Sequence, residues 1–176
     1  IKGISTKRLE VICESYTANR AARDVIAFLT PYGITPNRAV QLFKEYRDKT
    51  ITTVRANPYK LSDLDGVGFI TADKIAKNLG VHPLSTDRVD SGILHTLQQA
   101  ENMGHLCMEK HAFVKECLKL LDTPGLTEDM VANRAVRMVY SGKLSCYQEM
   151  IFRSEAANAE THLVEKIKLL LNSGFS

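Results

Sequence analysis

Three short stretches of the chain repeat one arrangement: Gly3-Ile4-Ser5-Thr6-Lys7-Arg8-Leu9, Gly33-Ile34-Thr35-Pro36-Asn37-Arg38-Ala39 and Gly66-Val67-Gly68-Phe69-Ile70-Thr71-Ala72. Their leading glycines are 30 and 33 residues apart, the spacing of a repeated structural unit. Each glycine is followed by an aliphatic residue and then a small one. A glycine supplies the positive φ with which a chain leaves one helix and turns. The aliphatic side chain anchors the turn in a core. The small residue leaves the next backbone N–H groups uncovered. Those groups open a helix and have no partner inside it. They point outward with the positive end of the helix dipole, and that is the chemistry that holds a phosphate oxygen.

The candidate contacts follow from this pattern. They are Gly66, Val67, Gly68, Phe69 and Thr71 in the third turn, Gly33, Ile34, Thr35 and Asn37 in the second, and Lys7 in the first. Lys74 and Lys77 lie one and two turns into the third helix and add positive charge. The alternative role for each turn is structural, as a compact joint between two helices.

Other groups with possible chemistry carry less. His105, Cys107, His111 and Cys117 lack the close pairs of a zinc site, so turn and core roles are expected and no metal. Glu128 and Asp129 read as first-turn acids favoured by the helix dipole. The methionines read as core or surface filler. No Ser/His/Asp or Cys/His arrangement is legible. No G-x-x-x-x-G-K-[ST] loop is present to cradle nucleotide phosphates, so no cofactor is expected in this chain.

The elements that must position the turns are helices. Residues 19–29 place Ala22, Val25, Ile26 and Leu29 on one face. Pro36 suits a first helical position, and Ala39, Val40, Leu42 and Phe43 follow as a buried face. Asn57-Pro58 breaks the chain. A short helix is expected to carry Leu61 and Leu64 into the third turn. Residues 71–79 then bury Ala72, Ile75, Ala76 and Leu79, with Gly80 closing.

Val81-His82-Pro83-Leu84 reads as a linker, giving domains 1–81 and 82–176. In the second, Ser85 or Thr86 caps a helix to about Met103 through Val89, Ile93, Leu94 and Leu97. A second helix spans about 112–121, with Phe113, Val114, Cys117, Leu118 and Leu121 inward. Thr127 caps a third, which runs through Val131, Ala135, Val136, Val139 and Tyr140. Residues 144–147 and 150–152 could pair as a β-hairpin, and 156–171 reads as a last helix. The expected fold class is mostly α: a tandem helix-hairpin-helix bundle, then a winged-helix-like unit with a small β-hairpin.

Charge divides along the same line. Residues 1–81 hold 13 Lys and Arg against 8 Asp and Glu, whereas 82–176 hold 10 against 12. The excess on the first part suits a polyanion. In the second part Arg134, Arg137, Lys143 and Arg153 are the basic candidates, and the negative balance favours packing or protein contact over DNA reading. Four cysteines without a paired framework suit a reducing cytoplasm, and no signal peptide or membrane-spanning run is seen. The absence of an initial Met reads as a piece of something longer.

The stretch Leu61-x-x-Leu64-x-Gly66-Val67-Gly68-x-x-x-Ala72-x-x-Ile75 resembles the helix-hairpin-helix motif of DNA repair and recombination proteins. That resemblance implies backbone N–H groups gripping phosphates without reading sequence. Ile70 stands where many members have Lys, and Asp65 and Phe69 stand where they have Pro. Phe28 to Pro36, Asn57-Pro58-Tyr59-Lys60-Leu61 and Gly66 to Ala76, taken in order, resemble the N-terminal region of RecD-like (RecD/TraA) ATP-dependent DNA helicases. The resemblance implies a non-catalytic DNA-binding region of a parent that unwinds DNA 5′→3′, with ATP and Mg in a motor domain elsewhere in the parent chain. The expected partners are DNA, through backbone contacts with single-stranded, duplex or forked forms, and that motor domain; no membrane is expected. The alternative function is an interaction scaffold that docks the motor or a repair partner. A nuclease or glycosylase reading finds no catalytic carboxylate or lysine tied to a turn.

Overall fold

The computed structural model of the chain describes residues 20–63, 67–156 and 158. The packing divides the chain into two compact units, Ile1–Val81 and His82–Ser176. The first turn with Lys7, the glycine Gly66, Leu64, Asp65 and all but the beginning of the last expected helix lie outside the described residues.

The described part of the first unit is helical. Helix α1 (residues 20–29) buries Val25 and Leu29. A 3-10 turn, Thr30–Tyr32, follows. Gly33 closes it at φ 82, and the N–H of Ile34 reaches back to the carbonyl of Leu29 at 3.4 Å. This is the reversal that favours glycine, because a Cβ at positive φ is strained. Helix α2 (Pro36–Tyr46) starts on its proline and buries Ala39, Leu42 and Phe43. A 3-10 turn, Arg47–Lys49, leads to α3 (Thr50–Ala56).

Asn57 then ends α3 in an extended conformation and accepts the N–H of Tyr59 at 2.9 Å. Pro58 opens the 3-10 helix Pro58–Asp63, where the sequence suggested an ordinary short helix. Helix α4 (Phe69–Asn78) starts two residues earlier than its periodicity suggests and buries Phe69, Ala72, Ile75 and Ala76. Leu79 is only half-buried.

The second unit runs α5 (Thr86–Asn102), β1 (Met108–Glu109), α6 (Lys110–Leu121), α7 (Glu128–Tyr140), β2 (Leu144–Tyr147) and β3 (Met150–Arg153). Ser85 caps α5 by accepting the N–H of Arg88, and Thr127 caps α7 by accepting that of Met130. The three helices pack on one another through Val89, Ile93, Leu97, Phe113, Cys117, Leu121, Val131 and Ala135. The strands form an antiparallel sheet in the order β1-β3-β2, with Met108 opposite Ile151 and Leu144 opposite Arg153.

Strand β1 has no counterpart in the sequence pattern. Met138, not Val136 or Tyr140, is the buried residue in the last turns of α7. Helix α6 begins at Lys110 because Glu109 caps it, accepting the N–H groups of His111 and Ala112 at 3.0 and 2.9 Å. Those two bonds hold the Glu109 carboxyl below its usual value.

Candidate nucleic-acid interface

Two turns of the first unit lead into helices with nearly the same geometry. Before α2, Ile34 is buried at 2% exposure, and Thr35 caps the helix at φ −68, ψ 151. Before α4, Val67 is buried at 2%, and Gly68 caps the helix at φ −77, ψ 167. Four residues past the cap comes a fully buried alanine, Ala39 or Ala72; seven past it, a buried Leu42 or Ile75. The same backbone path therefore drives the same helical face into the core, at an offset of 33 residues.

Neither cap is closed by a side chain. At α4, the N–H groups of Thr71 and Ala72 both return to the carbonyl of Gly68. The N–H of Ile70 meets no acceptor among the described residues. At α2, Pro36 has no N–H to offer, so the open donors begin at Asn37. Thr35 and Asn37 are exposed.

Gly68 is informative for a different reason from Gly33. Its φ of −77 is open to any residue, and a Cβ built there would meet no described atom within 4 Å. The described fold thus needs a glycine at 33 for its backbone but not at 68. A bare backbone at 68 leaves room for something to come close to the start of α4.

The side chains of Val67 and Phe69 face the core, so any ligand contact at these positions falls to the backbone. Phe69 stacks on Tyr59, with ring centroids 5.9 Å apart and planes 18° apart. The Tyr59 hydroxyl donates to buried Asp73 at 2.8 Å, and Asp73 pairs with Lys77 at 3.0 Å. This chain of contacts ties the Asn57-Pro58-Tyr59 stretch to the helix that begins at Phe69. Sequence spacing could not show it, because Tyr59 and Asp73 are 14 residues apart. It also takes Lys77 out of the set of available cations. Lys74 is exposed and faces no carboxylate among the described residues, as do Lys44, Arg47, Lys49 and Lys60. Ile70, half exposed, occupies the helix start where a cation was expected.

Three of the four arginines of the second unit are tied internally. Arg134 grips Asp90 with two nitrogens, and the bond from Nη2 to Oδ2 is 2.7 Å. The Asp90 hydrogen bond holds the Arg134 guanidinium above its usual range. Arg153 grips Glu101 in the same way at 2.9 and 2.5 Å. Buried Arg88 donates to the carbonyls of Pro83 and Leu121. Arg137 and Lys143 are left exposed without an ion pair among the described residues. Around them Val136, Tyr140 and Tyr147 are 51%, 88% and 68% exposed. Burial pushes the Cys117 thiol up to about 12, so it stays a neutral core group. Among the described residues no three His, Cys, Asp or Glu side chains gather as a metal site. No helix among them is long and apolar enough to cross a membrane.

A glycine turn, a buried aliphatic anchor and an open helix start are the features of a helix-hairpin-helix protein. The model of the ATP-dependent RecD2 DNA helicase HHH domain matches residues 18–107, and the chain belongs to this family. It is also similar to the ATP-dependent RecD2 DNA helicase of Deinococcus radiodurans, at 25% identity over 159 residues. That match covers 89% of this chain and 22% of the relative, so the chain spans about a fifth of the relative's length.

Proposed function

We propose that this chain is a sequence-independent DNA-binding accessory region of a RecD2-type helicase, whose motor, with ATP and Mg, lies elsewhere in the parent. The backbone at the start of α4, from Val67 to Thr71, holds phosphates of a DNA strand, and Lys74 adds charge. The start of α2, at Thr35 and Asn37, is a second and weaker copy, so the first unit acts as a tandem helix-hairpin-helix. Gly66 and Lys7 belong to the same scheme by sequence.

The observation that carries this reading is Gly68. It caps α4 without a side chain, at a φ that does not call for glycine, and a Cβ there would meet no described atom within 4 Å. Lys44, Lys60 and Lys74 of the same unit, exposed and without an ion pair among the described residues, support it.

The order α5-β1-α6-α7-β2-β3, with β1 joined to β3, supports a winged-helix reading of the second unit. Arg88, Arg134 and Arg153 are tied inward, and its outer residues Val136, Tyr140 and Tyr147 are apolar or aromatic. That surface favours protein contact over DNA for this unit.

The test is titration of the chain with single-stranded, duplex and forked DNA across salt. The wild type should bind with little sequence preference and weaken steeply as salt rises. Gly68→Leu keeps an allowed backbone but fills the approach to α4, and should lose affinity by about tenfold or more. A folded Gly68→Leu variant that binds like the wild type removes this hairpin as the site.

A further inference from the structure

Three described residues other than glycine have positive φ: Arg47, Asp122 and Gln148. Two have local reasons. Asp122 ends α6 in the left-handed well, at φ 35, ψ 62, which aspartate tolerates. Gln148 lies in the tight turn between β2 and β3, where positive φ is usual. Arg47 is different. At φ 50, ψ −131 it lies far from the left-handed well, on ground that glycine occupies more cheaply.

The surrounding structure fixes Arg47 in that shape. Its N–H donates to the carbonyl of Phe43. Its own carbonyl accepts the hydroxyl of Thr50 at 2.6 Å, and Thr50 is fully buried. The guanidinium is exposed and meets no acceptor among the described residues. The side chain thus adds backbone strain and makes no polar bond within the described chain. Lys44 and Lys49 are exposed nearby, but so are Glu45 and Asp48, so the joint is not a general basic patch. What stands out is one guanidinium on a strained, rigidly held joint, the setting in which strain tends to serve a site.

We propose that Arg47 is a DNA-phosphate contact outside both hairpins, at the far end of α2 from the Gly33 turn. The proposal rests on the DNA-binding reading above. Helix α2 has 11 residues, so Arg47 lies about 16 Å from that turn along its axis. The planar fork of an arginine can hold two phosphate oxygens at once. A strand held at a hairpin would then be held again at the other end of the helix, still without base reading.

A purely structural role makes the opposite forecast. An arginine at the end of α2 could complement the helix dipole, in which case its loss would lower stability and leave DNA binding alone. Arg47→Gly separates the two, because glycine relieves the strain. The 176-residue chain carrying Arg47→Gly should melt at or above the wild-type temperature. Its DNA affinity should fall about tenfold at low salt, and its salt slope should become shallower by about one. Arg47→Lys, which keeps the charge but not the planar fork, should keep the wild-type salt slope and recover only part of the affinity. Arg47→Gly with wild-type DNA affinity overturns the proposal while leaving the hairpin reading intact. A wild-type chain that binds no DNA overturns both.

Discussion

The two units differ in what they do with their arginines and with part of their lysine charge. In the first, Lys44, Arg47, Lys49, Lys60 and Lys74 stand exposed and face no carboxylate among the described residues. In the second, Arg134 and Arg153 are each clasped by a carboxylate through two hydrogen bonds, and Arg88 is buried on backbone carbonyls. A paired guanidinium has little left for a phosphate. An exposed lysine that makes no internal bond gives up nothing when it meets one. The difference teaches that formal charge alone misplaces DNA-binding surface. What counts is the charge left over after the fold has used its share.

The largest test of this contrast is Phe69→Ala. Phe69 is both the first residue of α4 and a core side chain stacked on Tyr59. Removing the ring should destabilise the first unit by about 3–5 kcal/mol and abolish DNA affinity with it. Amide hydrogen exchange would report faster exchange in α2 to α4 and unchanged protection in α5 to α7. Equal loss of protection in both units would break the separation drawn here.

Next in size is Asp90→Ala, which leaves the half-buried Arg134 guanidinium without its carboxylate. The second unit should lose about 1–2 kcal/mol in denaturant unfolding, less than a fully buried pair because solvent reaches Arg134. DNA affinity, measured where the variant is still folded, should stay within about twofold of wild type. A large loss would mean that the second unit contributes to the interface.

The smallest effect is a pH signature. Glu109 caps α6, and its carboxyl lies below the usual value because it accepts two backbone N–H groups. A depressed carboxylate stabilises the fold at pH values above its unfolded value, and that contribution is lost as pH falls through the folded one. Glu109→Gln should therefore melt earlier than wild type near neutral pH, and the two should converge as pH falls below 4.5. A gap that persists at acid pH would show that the charge is not what the cap uses.

Much of the helical framework could be read from sequence because its signals are local. Pro36, Ser85 and Thr127 mark helix starts by their chemistry, and Gly33 and Gly80 mark ends. What escaped depends on distant partners. Strand β1 has two residues, too few for a periodic signal, and it exists because β3 lies beside it 40-odd residues later. Met138 and Val136 are both apolar, and only the packing of α7 decides which is buried. The turns before α2 and α4 were marked by their glycines, but sequence could not tell a glycine required by φ from one that leaves space. It also could not show that Lys77 is held by Asp73 while Lys74 is not.

The central claim is that DNA meets the first unit at the start of α4 and not the outer face of the second unit. It is tested most directly by comparing two variants of the chain in one salt-controlled DNA titration. One carries Gly68→Leu; the other carries Arg137→Ala with Lys143→Ala, two exposed cations of the second unit. The account forecasts a loss of about tenfold or more for the first and less than about twofold for the second. Wild-type affinity in Gly68→Leu, together with a marked loss in the Arg137 and Lys143 variant, would contradict it.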